Sequence, residues 1–325
     1  MDNHIDFNKQ RSIKSCISDG WKIFALQWRA YLRFQWPTLL LAALFGGLLP
    51  LGMVSYIDAY LLPASALREI GIPDEIVRQA ALPGGGFLVQ ATIVTIAAVV
   101  AWMLCKGALY TQMRECRHSG GLPAGLPFRQ WHPILRNAIR CFVADAALAL
   151  LWLLPCAVIA YAALTWSKWL FLLLLPLFIA AKVTGTEVEL RHELDGVPLP
   201  SAFRRAYGTG LRQAGGLFLV RLLTGIPCTF LGLGALLPVI ALTLASTTNT
   251  NGLLVGDPDG LPSLFYLLFY GVSAIAAFLL FLIFGVRTWA CALKLSSDSM
   301  TENALRSTDA TKEEAKSAAS AQTQS

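Results

Sequence analysis

Three acid–base side chains lie close together in the stretch "TEVELRHELDG". Glu189, His192 and Glu193 have the i, i+3, i+4 spacing, so a helix would place them on one face. Two carboxylates and an imidazole could bind a metal or serve a membrane enzyme, but a zinc site needs further ligands and the chain has no HExxH motif. The pattern therefore favours a solvated helix end, with a metal site or an enzyme as the weaker alternatives.

Two other ionisable residues fall inside apolar runs, where charged side chains are costly and usually functional. Asp145 and Arg221 are predicted to lie at similar depths, and they would pin two parts of a helical bundle together as an ion pair. Two alternatives stay open. Arg221 would extend its guanidinium to the interface, or the two residues would belong to a proton or substrate relay.

Nucleophile and phosphate-binding motifs are absent from the sequence, which contains no GxSxG, P-loop or GxGxxG pattern. The seven cysteines include no CxxC pair and lie mostly in or beside apolar runs, which is typical of small helix residues. The sequence therefore predicts that the protein is not an enzyme and binds no cofactor.

Composition places the chain in a membrane. Of its 325 residues, 55% are hydrophobic and 14% are charged, whereas soluble domains are about a quarter charged. Six apolar runs are predicted to cross a bilayer, at about 37–62, 87–110, 141–164, 169–181, 216–246 and 263–293. The predicted fold class is all-α, a polytopic membrane protein of six transmembrane helices, with an amphipathic segment at 1–36 and a disordered tail at 296–325.

Lysine and arginine alternate along the predicted loops. Six lysines and arginines precede the first run, and a dense group of them lies between the second and third runs. The loop between the fifth and sixth runs has no lysine or arginine. Because positive loops stay on the cytoplasmic side, we expect both termini in the cytoplasm and the protein in the bacterial inner membrane.

Two loops share a pattern. "GLPAGLPFRQW" precedes the third run and "DGVPLPSAFRRAY" precedes the fifth. Each predicts a short basic amphipathic helix, or elbow, on the cytoplasmic face, the first beginning at Pro127 and ending where Pro133 breaks it. The six runs would then form three pseudo-repeated hairpins. The residues expected to contact lipid headgroups, rather than nucleic acid, are Arg129, Trp131, Arg136, Arg204 and Arg205.

The elbows "LPFRQW" and "LPSAFRRAY", together with the six runs, resemble the membrane domain found beside glycerophosphoryl diester phosphodiesterases and related bacterial membrane proteins. The resemblance covers about residues 10–295 and implies the six-span fold. It implies no phosphodiesterase activity here, because in that family the catalytic barrel is a separate soluble domain.

Two function classes remain. The missing catalytic motifs favour a non-enzymatic scaffold, assembly factor or envelope-maintenance component. The alternative is a transporter or lipid-handling protein, whose partners would be membrane lipids, anionic ones included. A polar cavity, lined by groups such as Thr92, Thr95 and Thr224, would favour the alternative, whereas apolar packing throughout would favour the scaffold. Small residues in "GGLLP" allow a homo-oligomer, and the sequence specifies no protein partner.

Overall fold

The computed structural model describes residues 7, 9–123, 130–166, 168–208, 210–255 and 263–322, and every regular element in these ranges is helical. Within these ranges the nine α-helices are α1 Ile13–Tyr56, α2 Leu62–Glu69, α3 Asp74–Ala80, α4 Gly85–Ser119, α5 Trp131–Thr165, α6 Leu174–Leu194, α7 Leu199–Gly208, α8 Gly210–Val255 and α9 Ser263–Gln322. A π-helical turn, Ile57–Leu61, joins α1 to α2, and a 3-10 segment, Lys168–Leu173, leads into α6.

In the part of the chain that the structure describes, five helical stretches are long and apolar enough to cross a membrane, namely Ile13–Glu69, Gly85–Ser119, Trp131–Thr165, Gly215–Thr248 and Leu264–Thr301. Their apolar side chains are mostly not covered by protein; Leu154, for example, is 73% exposed. Because water disfavours such a surface, lipid must cover it. The chain is thus a multi-pass helical membrane protein. Six spans are not confirmed, since α6 is shorter and carries several charged residues.

Small residues set the distances between the helices. A Cβ atom on Gly107 of α4 would lie 2.5 Å from the carbonyl oxygen of Ile134 in α5. A Cβ atom on Gly47 of α1 would lie 2.8 Å from the backbone nitrogen of Ala274 in α9. These close approaches explain why α1 packs along α9 and α4 packs along α5, because glycine lets two backbones meet.

Two prolines do not end helices where the sequence predicted a boundary. Helix α1 runs through Pro37 and bends at Gln27, where φ is −117° and ψ is 22°. Residues 13–36 of the segment expected to precede the membrane domain therefore form the first half of α1. Helix α5 starts at Trp131 and holds Pro133 in its first turn, where the backbone N–H groups have no partner in the helix, so proline fits without a break.

The second predicted elbow is present as α7, an amphipathic helix that ends at Gly208. At the other end of the chain, α9 continues past residue 296, where the sequence predicted a disordered tail, to Gln322. Ser297 Oγ accepts a hydrogen bond from the Arg11 backbone N–H at 2.8 Å, and Ser296 Oγ donates to the Phe7 carbonyl. The helix extends because alanine, lysine and glutamate have high helix propensity.

Candidate functional site

A buried lysine joins three helices. Lys106 Nζ in α4 lies 2.8 Å from Asp145 Oδ2 in α5 and 2.5 Å from Glu189 Oε1 in α6. The side chain of Lys106 is only 5% exposed. A buried cation without a counter-ion is strongly destabilising, so these two carboxylates hold α5 and α6 against α4.

The lysine lines a cavity of about 410 Å³ between α4, α5, α6, α8 and α9. One part of its wall is charged, and the ionisable groups there are Lys106, Asp145, Lys182, Glu189, Arg221 and Arg287. Four cations face two carboxylates, which leaves an excess of two positive charges. Another part of the wall is aromatic and includes Trp102, Trp152, Phe178 and Phe284. The cavity is amphipathic and suits a molecule with an anionic group and an apolar part.

A groove of about 380 Å³ lies beside this cavity, between α6 and α8. Its walls are mainly apolar, and Ile226 and Phe230 within it are exposed at the protein surface. Lys182, Arg221 and Arg287 line both the groove and the cavity. Arg221 Nη1 also donates to the carbonyl oxygen of Lys182, which fixes the guanidinium between the two spaces.

Asp145 and Arg221, the predicted ion pair, line the same cavity but do not bind each other. Asp145 binds Lys106, and Arg221 donates to the backbone of α6. Lys106 lies near the end of the second apolar run, where a boundary lysine is ordinary, and its pairing with Asp145 was not predicted. The available signal was a lysine inside that apolar run, where a cation needs a counter-ion.

The predicted trio on α6 is not a solvated helix end. Glu189 binds Lys106, His192 Nδ1 lies 2.7 Å from the Val197 carbonyl oxygen, and Glu193 is 0% exposed, with Arg140 Nε 3.6 Å from its carboxylate. Each member is thus held by a different neighbour. Within the described ranges, no three histidine, cysteine, aspartate or glutamate side chains are grouped as a metal site requires.

Two arginines hold the C-terminal end of α6. Arg114 Nη2 of α4 donates to the Glu193 carbonyl oxygen, and Arg140 Nη2 of α5 donates to the His192 carbonyl oxygen at 2.7 Å. Cations at a helix C-terminus satisfy its carbonyl groups and complement its dipole. Burial raises the pKa of the Glu193 carboxyl to about 7, although Arg140 and Arg114 act in the opposite direction.

The residues predicted to contact lipid headgroups lie mostly at the surface. Trp131 is 39% exposed, and Arg136, Arg204 and Arg205 are also exposed, whereas Arg129 lies outside the described residues. Arg204 lines a largely apolar groove of about 680 Å³ between α5 and α7. This placement is compatible with lipid contact, which stays a prediction.

The three threonines expected to line a cavity do not line the one described above. Thr92 and Thr95 are exposed, and each donates to a carbonyl oxygen of its own helix. Thr224 is buried and donates to the Val220 carbonyl. The polar lining of the cavity consists instead of the six charged side chains together with Tyr110, Thr186 and Thr288.

The fold and this cavity define a class, a multi-pass helical membrane protein with a charged internal cavity that adjoins an apolar surface groove. No protein-family model, curated protein or solved structure matches the chain. The resemblance to the membrane domain of the phosphodiesterase family stays a prediction.

Replacing Lys106 with methionine should destabilise the protein strongly, because it removes the cation within hydrogen-bond distance of Asp145 and Glu189. We expect a loss of roughly 3 kcal/mol in the free energy of unfolding, measured by denaturation in mixed detergent micelles. Adding Asp145→Asn and Glu189→Gln to Lys106→Met should restore most of the lost free energy of unfolding, because no unpaired charge is then left buried. Lys22→Met, at an exposed lysine, is the control, and equal stability of the two single variants would contradict the role of Lys106.

The stability of the protein should fall as pH rises through about 7, because Glu193 is more readily protonated in the folded state. Its pKa is about 7 when folded against an ordinary 4.5, so its contribution is complete below pH 4.5 and is lost as pH rises through 7. His192 has the opposite effect on stability: because burial lowers its pKa, its contribution to stability is lost as pH falls below 6.5.

Unfolding of wild type and Glu193→Gln, measured from pH 5 to pH 9, isolates the Glu193 contribution. The stability of the glutamine variant should depend less on pH between 5 and 7, the range in which the folded and unfolded carboxyls differ in protonation. Parallel pH profiles for the two proteins would show that Glu193 has an ordinary pKa.

Proposed function

We propose that this protein handles lipids, binding an anionic amphiphile with its charged group in the cavity and its apolar chain in the groove between α6 and α8. The observation that carries the proposal is the set of cations shared by both spaces. Lys182, Arg221 and Arg287 line the charged cavity and the surface groove alike. A molecule bound there would meet positive charge and apolar wall together, as a phospholipid requires.

Charge and size support this assignment. The cavity has two more cations than carboxylates, and a phosphate group would compensate that excess. A volume of about 410 Å³ lies within the range of small-molecule sites. The exposed apolar groove gives the acyl chain a path from the surrounding bilayer without passing through water.

Of the two function classes expected from the sequence, the cavity favours the alternative, a transporter or lipid-handling protein. A scaffold needs no such cavity, and grouping six charged side chains around one, with Lys106 buried and most of the others partly buried, is costly unless they serve a ligand or hold the helices. The Lys106 cluster, made of Lys106, Asp145 and Glu189, holds helices together and accounts for three of these six side chains. Lys182, Arg221 and Arg287 take no part in that cluster, although Arg221 also donates a hydrogen bond to the α6 backbone, and we assign these three cations to the ligand.

The double variant Arg221→Gln/Arg287→Gln should bind anionic phospholipid about tenfold more weakly, because two charge-assisted contacts to phosphate are lost. The measurement is the quantity of phospholipid that copurifies in mild detergent, determined by mass spectrometry, followed by titration in nanodiscs of defined composition. Arg29→Gln/Arg33→Gln changes net charge equally at exposed positions of α1 and is the matched control. Equal lipid binding by the two double variants would refute the proposal.

We further propose six membrane crossings, with both termini in the cytoplasm. Lys106 contacts Asp145 early in α5 and Glu189 late in α6, which indicates that these helices run antiparallel. From Asp145 to Thr165, α5 extends by about 20 residues, or roughly 30 Å, the thickness of a hydrocarbon core. The 3-10 segment and α6 would return over the same distance, and a 3-10 segment rises further per residue than an α-helix.

Cysteine labelling tests this topology. An impermeant maleimide applied to intact cells should modify Asp74→Cys and Trp166→Cys but not Ser119→Cys or Ser201→Cys. All four positions are exposed, whereas the native Cys16 and Cys116 are buried and would not report orientation. Labelling at position 201 would show that α6 does not cross, and labelling at 119 but not 74 would reverse the orientation.

A further inference from the structure

A second charged pocket lies where α4 and α6 end, beside Arg140 near the start of α5. It measures about 520 Å³, and its lining consists of Arg114, Arg117, His118, Arg140, Leu194, Asp195 and Gly196. It shares no lining residue with the cavity around Lys106. The cavity proposal therefore does not account for it.

Positive charge dominates this pocket. Three guanidinium groups and one imidazole face a single carboxylate, that of Asp195, so the excess is two positive charges with the histidine neutral. Like charges brought this close repel one another, and an anion with two or more negative charges would relieve the repulsion.

The three arginines are held in place by different parts of α6. Arg117 Nη1 binds Asp195 Oδ1 at 2.7 Å, while Arg114 and Arg140 donate to the carbonyls of Glu193 and His192. A guanidinium group has five N–H donors, and these contacts use a minority of them. The remaining donors suit phosphate, whose oxygens accept paired hydrogen bonds from a planar guanidinium.

The end of α6 also leaves the pocket open. Gly196 has a φ of +67°, a left-handed conformation that ends the helix, and a Cβ atom on it would meet nothing within 4 Å. The chain therefore turns away beside the arginines without filling the space between them.

We propose that this pocket binds a phosphate-bearing anion with at least two negative charges, such as a pyrophosphate or a phosphate monoester. The source would be a soluble compound or a lipid headgroup, since both present the same oxygens. The proposal is independent of lipid binding in the cavity, and Arg221→Gln/Arg287→Gln should leave it intact.

The experiment is isothermal titration of inorganic pyrophosphate into the full-length protein in nonionic detergent. We expect saturable binding by wild type and about tenfold weaker binding by Arg117→Gln. Asp195→Asn should bind several-fold more tightly, because Asp195 competes with the anion for Arg117. If the Arg117–Asp195 pair were only structural, the two variants would not change affinity in opposite directions.

Arg68 and Asp74 provide the matched control, since they form an exposed pair at 3.6 Å outside this pocket. Arg68→Gln and Asp74→Asn should leave pyrophosphate affinity unchanged. Absence of saturable binding by wild type, or equal affinity of wild type and Arg117→Gln, would overturn the proposal.

Repeating the titration in nanodiscs identifies the source of the phosphate. If wild type binds pyrophosphate more weakly in phosphatidic acid nanodiscs than in neutral ones, and this difference is much smaller for Arg117→Gln, the natural ligand is a lipid headgroup. If pyrophosphate binds equally in both lipids, the ligand is soluble.

Discussion

The need to neutralise one buried cation shapes this bundle. Lys106 interrupts an apolar helix, and a charge in such surroundings persists only with counter-ions at hydrogen-bond distance. Asp145 and Glu189 supply them from two other helices. The lysine thereby sets the register of α4 against α5 and α6, and the absence of a side chain on Gly107 lets α4 and α5 meet closely enough for the contact to form.

The same helix α6 connects both charged regions. It contributes Lys182 and Glu189 to the cavity, and its C-terminal end is held by Arg114 and Arg140. The arginines that cap α6 also line the second pocket. Arg114 and Arg140 thus have two roles. They donate to the terminal carbonyl groups of α6, and their remaining N–H donors line the second pocket.

The proposed function rests on the cations shared between the cavity and the groove. An enclosed polar site alone would suit a small ion, and an apolar groove alone would be ordinary lipid-facing surface. Joined by Lys182, Arg221 and Arg287, the two spaces match a molecule that is anionic at one end and apolar at the other. This is the physical basis for preferring lipid handling to a scaffold.

Sequence alone determined the helical class, the membrane environment and the separate helix α7, because apolar run length, helix propensity and the placement of proline and glycine act within one segment. It also singled out Asp145, Glu189 and Arg221 as unusual. Only the tertiary structure decided that Lys106 binds the two carboxylates and that Arg117 meets Asp195. Those outcomes depend on distances of a few ångströms between segments far apart in the chain, and such distances are set by how helices pack, which no local pattern encodes.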